Sequence, residues 1–177
     1  MIQRRIDGSV NFYRTWDEYV RGFGDIDGEY WLGLETIHRL TKEGTEIYFD
    51  IENHDGTRDY AHYKSFTVHG ATTVYKMNVD KFGYDGTLGE LLSYHDNQKF
   101  STFDRDNDKN GGNCAQILDG GGWWYNSCYR LGNPNGVFGK KTPGGIGYWA
   151  GKAVLVKTFT IRIKQKCGVC KRVSLEP

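Results

Sequence analysis

An α+β domain is what this sequence predicts, and three observations point there. Apolar spacings of three and four residues occur near the start, runs of alternation follow, and a long glycine-rich stretch without periodicity fills much of the second half. The chain has 177 residues, 24 of them glycine and only three proline, with 15% aromatic and 38% hydrophobic content. That length suits one domain with a sizeable core, whose turns rest on glycine. A formal net charge of +1 argues against nucleic acid, whose binding needs a concentrated basic face. No apolar run approaches the ~20 residues of a membrane-spanning helix.

In order, Ile2 to Arg5 reads as a strand and Asp7-Gly8 as a turn. Phe12, Trp16, Tyr19 and Val20 fit the buried face of a short helix ending near Gly22 or Gly24, and Leu32 to Leu40 is a second helix candidate. These aromatics are read as core, and His38 as a packing or surface histidine. Glu46 to Glu52 alternates as a strand, Asp55-Gly56 is a hairpin-type turn, and Thr57 to Phe66 is the return. Phe66 to His69 and Val74 to Val79 continue the sheet, with Tyr60, His62 and Tyr63 as sheet-face residues. After Lys81 regular structure thins to one short helix candidate around Leu88 to Leu92. The β-branched run from Ala153 to Ile163 completes the main sheet. No internal repeat and no second domain is visible.

The stretch from Phe103 to Tyr129 carries the chemistry. Asp104, Asp106 and Asp108 alternate, and three like charges cannot crowd together without something positive between them. Hard oxygen ligands at every second position suit Ca2+. From Asp106 the order matches the opening of an EF-hand loop, with Gly111 at the sharp turn. The match stops at Cys114 and at Ile117, which replaces the required glutamate. A site completed by backbone carbonyls and water is the better fit, with a solvated acidic turn as the alternative. A disulfide between Cys114 and Cys128 would close a loop of about 15 residues, stabilising the fold by ~3 kcal/mol. It would clamp the acidic loop against Trp123, Trp124 and Tyr125, which are expected to be exposed recognition aromatics.

FSTFDRDNDKNGGNCA, GGGWWYNSCY, QRRIDGSVNFYRTWDEYVRGFG and EYWLGLETIHRLT together resemble the fibrinogen C-terminal globular domain, the fold of ficolins, tachylectin-type lectins, angiopoietins and tenascin tips. The resemblance runs from Ile2 to about Ile163. It implies a mainly antiparallel central sheet with short helices, a fibrinogen-like domain over 1–163 with a loop-rich calcium and ligand subdomain over about 81–152, and a basic tail over 164–177. Such domains usually begin with a cysteine-paired subdomain, and this chain opens inside the strand that follows it, with no signal peptide before it. The chain therefore looks N-terminally truncated.

The resemblance implies that Asp106 and Asp108 hold Ca2+ by side chains, that Asn110 and Gly112 offer backbone carbonyls, and that Asp104 stands behind them. Acetyl-binding members use the peptide before the second cysteine, often cis, followed by histidine. Here that peptide is Ser127-Cys128 and the next residue is Tyr129. Ile117 or Leu118 stands where lectin members carry tyrosine, and Thr142-Pro143 where a Tyr-Ala pair lines the pocket, with Tyr148 as a substitute wall. The expectation is a remodelled pocket in which Tyr125 and Tyr129 stack on a sugar and Asp119 bonds hydroxyls or pairs with a basic group. The alternative is that these aromatics only cover the disulfide.

Cys167 and Cys170 form a lone C-x-x-C, readable as inter-chain disulfides that join copies into an oligomer, as a weak zinc motif, or as a local pair. No hydrolase, zinc-protease or phosphate-loop motif is present, and the five histidines are scattered, so an enzyme is not expected. Two functions remain: a secreted, calcium-dependent lectin for acetylated or otherwise patterned glycans in innate immunity or adhesion, and a module binding a cell-surface or matrix protein with calcium as a staple.

Overall fold

The structure, a computed structural model, describes residues 1–90, 92–129, 133–140, 145–149 and 153–166, without the side chains of 147–149 and 153–155. In chain order the elements are β1 (Gln3–Arg5), α1 (Trp16–Arg21), β2 (Phe23–Gly24), β3 (Tyr30–Trp31), α2 (Leu34–Thr41), β4 (Thr45–Asn53), β5 (Arg58–Val68), β6 (Met77–Val79), β7 (Tyr84–Gly86), α3 (Cys114–Ile117), β8 (Gly147–Trp149) and β9 (Ala153–Gln165). The sheet runs β2-β3-β1-β9-β4-β5-β6, with β7 beside β5 and β8 beside β9. All these pairings are antiparallel. The fold is therefore α+β, with few and short helices.

Alternation explains β4: Ile47, Phe49 and Ile51 turn inward, while Glu46, Tyr48, Asp50 and Glu52 lie on the other face. The turn into β5 needs Gly56, at φ 83°, and Asp55 Oδ1 accepts from the Thr57 amide at 2.9 Å. On the outer face Tyr48 stacks on His62 at 4.1 Å between centroids, which confirms a sheet-face role for that histidine. His38 is a packing histidine, its Nδ1 lying 2.7 Å from the Val68 carbonyl.

The second core layer is aromatic. Tyr19, Trp31, Phe100, Trp123 and Trp124 are all buried and meet edge-on or tilted. Trp31 Nε1 donates to the Tyr19 carbonyl at 3.0 Å and Trp124 Nε1 to the Tyr75 carbonyl at 2.7 Å. Trp123 and Trp124 are thus core residues, not exposed recognition surface, because the loop that carries them is drawn under β5 and α1.

Two element expectations need correction. Val74 to Val79 is not a continuous strand: a 3-10 turn (Ala71–Thr73) precedes Val74 and Tyr75, both left-handed at φ 60° and 48°, and only Met77–Val79 pairs. Leu88 to Glu90 is not helical either. Leu88 and Leu92 are separate buried pegs, Leu92 N donating to Tyr63 Oη at 3.0 Å, and a 3-10 turn forms instead at Ser93–His95. Leu91 lies outside the described residues.

Candidate functional site

The acidic loop is built from a ladder of side-chain-to-amide bonds at every second residue. Asp106 Oδ1 accepts from Asp108 N at 3.1 Å, Asp108 Oδ1 from Asn110 N at 2.8 Å, and Asn110 Oδ1 from Gly112 N at 3.1 Å. Asp108 Oδ2 also accepts from Cys114 N at 2.8 Å. Short carboxylate and amide side chains reach two residues forward in this way, which is why Asp and Asn at alternate positions fold the loop without regular structure.

Asp106 and Asp108 are brought together. Burial pushes the Asp108 carboxyl above its ordinary range and the neighbouring Asp106 carboxylate pushes the same way, against the pull of the Cys114 and Asn110 amides. The carbonyls of Asn110 and Gly112 accept no hydrogen bond from the described residues. Two adjacent carboxylates with two unspent carbonyls beside them make a donor set that fits a hard dication such as Ca2+. Among the described residues no group of three His, Cys, Asp or Glu side chains is placed for a metal, so water and carbonyls would fill the remaining positions.

Asp104 does something different. Its Oδ1 accepts from Trp16 N at 2.9 Å and from Thr102 Oγ1 at 2.7 Å, so it satisfies the first free amide of α1 and ties that helix to the loop. Sequence reasoning missed two further pins. Asn107 donates its amide group to the Phe100 carbonyl at 2.9 Å, and Asn113 accepts from Ala115 N and Gln116 N at 2.9 and 3.2 Å while donating to the Thr102 carbonyl at 2.9 Å. Asn113 was recoverable, since asparagine just before a short apolar helical segment is an N-cap signal.

Cys114, the first residue of α3, is bonded to Cys128, with 5.1 Å between their Cα atoms. The disulfide sets the Asn126–Cys128 segment against the loop. Lys109 N donates to the Asn126 carbonyl at 3.0 Å and Asn110 Nδ2 to Ser127 Oγ at 3.1 Å. From the other side Asn126 Nδ2 donates to the Tyr94 carbonyl at 2.8 Å and Tyr94 Oη to the Ser127 carbonyl at 3.3 Å. Ser127 is exposed and Tyr129 half-buried. The Ser127-Cys128 peptide is trans, as are all the described peptides, and Cys128 is left-handed at φ 59°.

Two expected ligand residues stand elsewhere. Tyr125 is fully buried, its hydroxyl donating to the Gly121 carbonyl at 2.6 Å and accepting from Asn133 Nδ2 at 2.8 Å, so neither ring face is offered to a sugar. Burial drives its phenol far above the ordinary tyrosine range. Asp119, left-handed at φ 49°, pairs with Lys140 at 3.6 Å. It lines a cleft of about 390 Å³ with Arg5, Asp7, Val10, Tyr13 and Phe138, and none of Ser127, Cys128 and Tyr129 lines that cleft. Thr142-Pro143, the Tyr148 side chain, Cys167 and Cys170 lie outside the described residues.

The model of the family described as fibrinogen beta and gamma chains, C-terminal globular domain, matches residues 1–166. This chain belongs to that family. It is 46% identical over 129 residues to human angiopoietin-related protein 2, covering 72% of this chain and 26% of that protein. It is 44% identical over 139 residues to human ficolin-3, covering 78% and 46%. The chain thus spans a quarter to a half of the length of these curated relatives. The fibrinogen-like globe domain of human ANGPTL6 superposes at a TM-score of 0.85 with 39% identity, over 93% of this chain and 77% of that one. Lamprey fibrin D-dimer, solved with the peptide ligand Gly-His-Arg-Pro-amide, superposes at 0.82 with 30% identity, over 99% and 66%.

Proposed function

We propose that this fibrinogen-like domain is an extracellular, calcium-dependent recognition module and not an enzyme. Its ligand is an acetylated or otherwise patterned glycan that meets the Ser127-Tyr129 face, in innate defence or adhesion. The observation that carries this reading is the bond from Asn110 in the acidic loop to Ser127 in the disulfide-anchored segment. Asp106, Asp108 and the carbonyls of Asn110 and Gly112 would hold the ion, which supplies rigidity and positive charge beside that face. Ser127 then presents a hydroxyl, and Tyr129 an aromatic edge, where acetyl-binding relatives of this fold carry histidine. An oxidising, calcium-rich compartment suits a domain built around a disulfide.

A second reading has its own support. With Tyr125 buried, Tyr129 is the single tyrosine of the pair left near the surface, which weakens sugar stacking and favours a protein partner held by the same face, calcium serving as a staple. Retention on an N-acetylated resin in Ca2+, released by free N-acetylglucosamine or by chelator, separates the two. Retention that follows both supports the lectin reading. No retention, while Ca2+ still raises the melting temperature, transfers the ligand to the protein class. Asp106→Ala removes one of the carboxylates, and a calcium-induced rise in melting temperature that survives it would sink the metal assignment.

A further inference from the structure

We propose that Asn110-Gly111 is a site of spontaneous deamidation, which sets a further carboxylate beside Asp106 and Asp108. The chain contains two Asn-Gly pairs, Asn110-Gly111 and Asn135-Gly136, and the structure treats them in opposite ways. Deamidation at such a pair needs the backbone nitrogen of the glycine to reach the asparagine Cγ. Glycine permits this because no side chain shields its nitrogen and its backbone is free to turn.

Gly111 is exposed, and nothing lies within 4 Å of the place a Cβ would take. Its amide has no hydrogen-bond acceptor among the described residues. The half-buried Asn110 side chain is held by one part-buried bond from Gly112 N at 3.1 Å and one exposed bond to Ser127 Oγ at 3.1 Å. Asn135, by contrast, is fully buried, with Nδ2 donating to the Gly122 carbonyl at 2.8 Å and Oδ1 accepting from Gln3 at 3.1 Å. The nucleophile there is tied as well, since Gly136 N donates to the Asn133 carbonyl at 3.1 Å. One pair is free to react and the other is locked in the core.

The chemistry needs only water. Gly111 N bonds to Asn110 Cγ, the Cγ–Nδ2 bond breaks, and ammonia leaves with the former amide proton, giving a cyclic imide. Water then adds to one of the two imide carbonyls and breaks its bond to nitrogen. Opening at Cγ restores the normal backbone with aspartate, and opening at the main-chain carbonyl gives isoaspartate, whose backbone is one methylene longer. Both products set a third negative charge beside Asp106 and Asp108, and neither can donate to Ser127 Oγ as Asn110 Nδ2 does. Deamidation therefore removes the bond that Asn110 donates to Ser127, while the disulfide and the Lys109 amide still hold the segment to the loop.

The test is peptide mapping by mass spectrometry on the full chain incubated with chelator in mildly alkaline buffer. Conversion at Asn110 should run at least about tenfold faster than at Asn135, whose reaction must wait for opening of the core. Gly111→Ala, which the open surroundings accommodate, should slow conversion at Asn110 and leave Asn135 as it was. Equal rates at the two sites, no conversion at Asn110, or a rate indifferent to Gly111→Ala would overturn the proposal. A parallel incubation in Ca2+ addresses the metal reading alone: slower conversion supports an ion on the neighbouring carbonyls, and an unchanged rate counts against the ion while deamidation stands.

Discussion

Acidification should weaken this domain through one buried residue behind Trp124. His95 is buried, and its Nδ1 lies 2.8 Å from the Trp124 carbonyl. A carbonyl only accepts, so Nδ1 carries the proton and Nε2 is the bare nitrogen, buried without a hydrogen-bond partner among the described residues. Protonating Nε2 would bury a charge that the Glu90 carboxylate and the Trp124 carbonyl offset only in part, and burial accordingly lowers the histidine pKa from 6.5 to about 4. The unfolded chain binds this proton below 6.5 and the folded chain does not until about 4. Stability contributed by neutral His95 is thus whole above the unfolded pKa and lost as the pH falls through the window between the two. From about pH 7 to about pH 5 the loss is ~2 kcal/mol. Urea unfolding followed by tryptophan emission, with chelator present throughout, reads it as a lower midpoint at unchanged slope. His95→Gln, which keeps a donor for the Trp124 carbonyl, should flatten the dependence. The same midpoint at both pH values, or an undiminished dependence in the variant, would refute the reasoning.

Three further outcomes follow from named contacts. Asp104→Ala frees the first amide of α1 and should cost about 1–2 kcal/mol by thermal unfolding, with or without Ca2+; a loss confined to the calcium-loaded protein would make Asp104 a ligand after all. Tyr125→Phe strips the Gly121 carbonyl and Asn133 of a buried partner and should cost about 1–3 kcal/mol without altering ligand retention. Glu29 accepts from the amides of Ile6, Asp7, Gly8 and Val10 and faces Arg5 at 3.5 Å. Burial alone would raise its carboxyl, yet these donors and Arg5 hold it below the ordinary range. Glu29→Ala leaves Arg5 buried and unpaired, so chemical denaturation should register a loss of about 3–5 kcal/mol.

The sheet was legible because its signal is local. Alternation in Glu46 to Glu52 reports directly which face is wet, and Asp55-Gly56 names its own turn. Val74 and Tyr75 were illegible because distant partners set their backbone. Tyr75 offers its carbonyl to Trp124 and its hydroxyl to Glu35 Oε2 at 3.1 Å, and the chain adopts left-handed angles to reach both. Leu88 and Leu92, four apart, mimicked a helical stripe while filling two separate holes. In the acidic loop the alternation of Asp and Asn was visible and read as oxygen ligands, whereas the ladder in which each side chain accepts from an amide two residues on was found only in the structure. The burial of Tyr125 could not be read, because Gly-Trp-Trp-Tyr has no period and Asn133, which anchors the hydroxyl, lies outside that run.

The place of β9 in the sheet has a kinetic meaning. Among the described strands it is the last to leave the ribosome, yet it lies between β1 and β4, both made long before it. Until it arrives, two unpaired edges and the apolar rows of Ile2, Ile47, Phe49 and Ile51 have no neighbour to close over them. Contacts of such sequence separation form slowly, and open strand edges recruit other chains in the meantime. A chain stopped before Ala153 should accumulate as aggregate, and refolding yield should fall with protein concentration much faster than the equilibrium stability of the finished domain suggests.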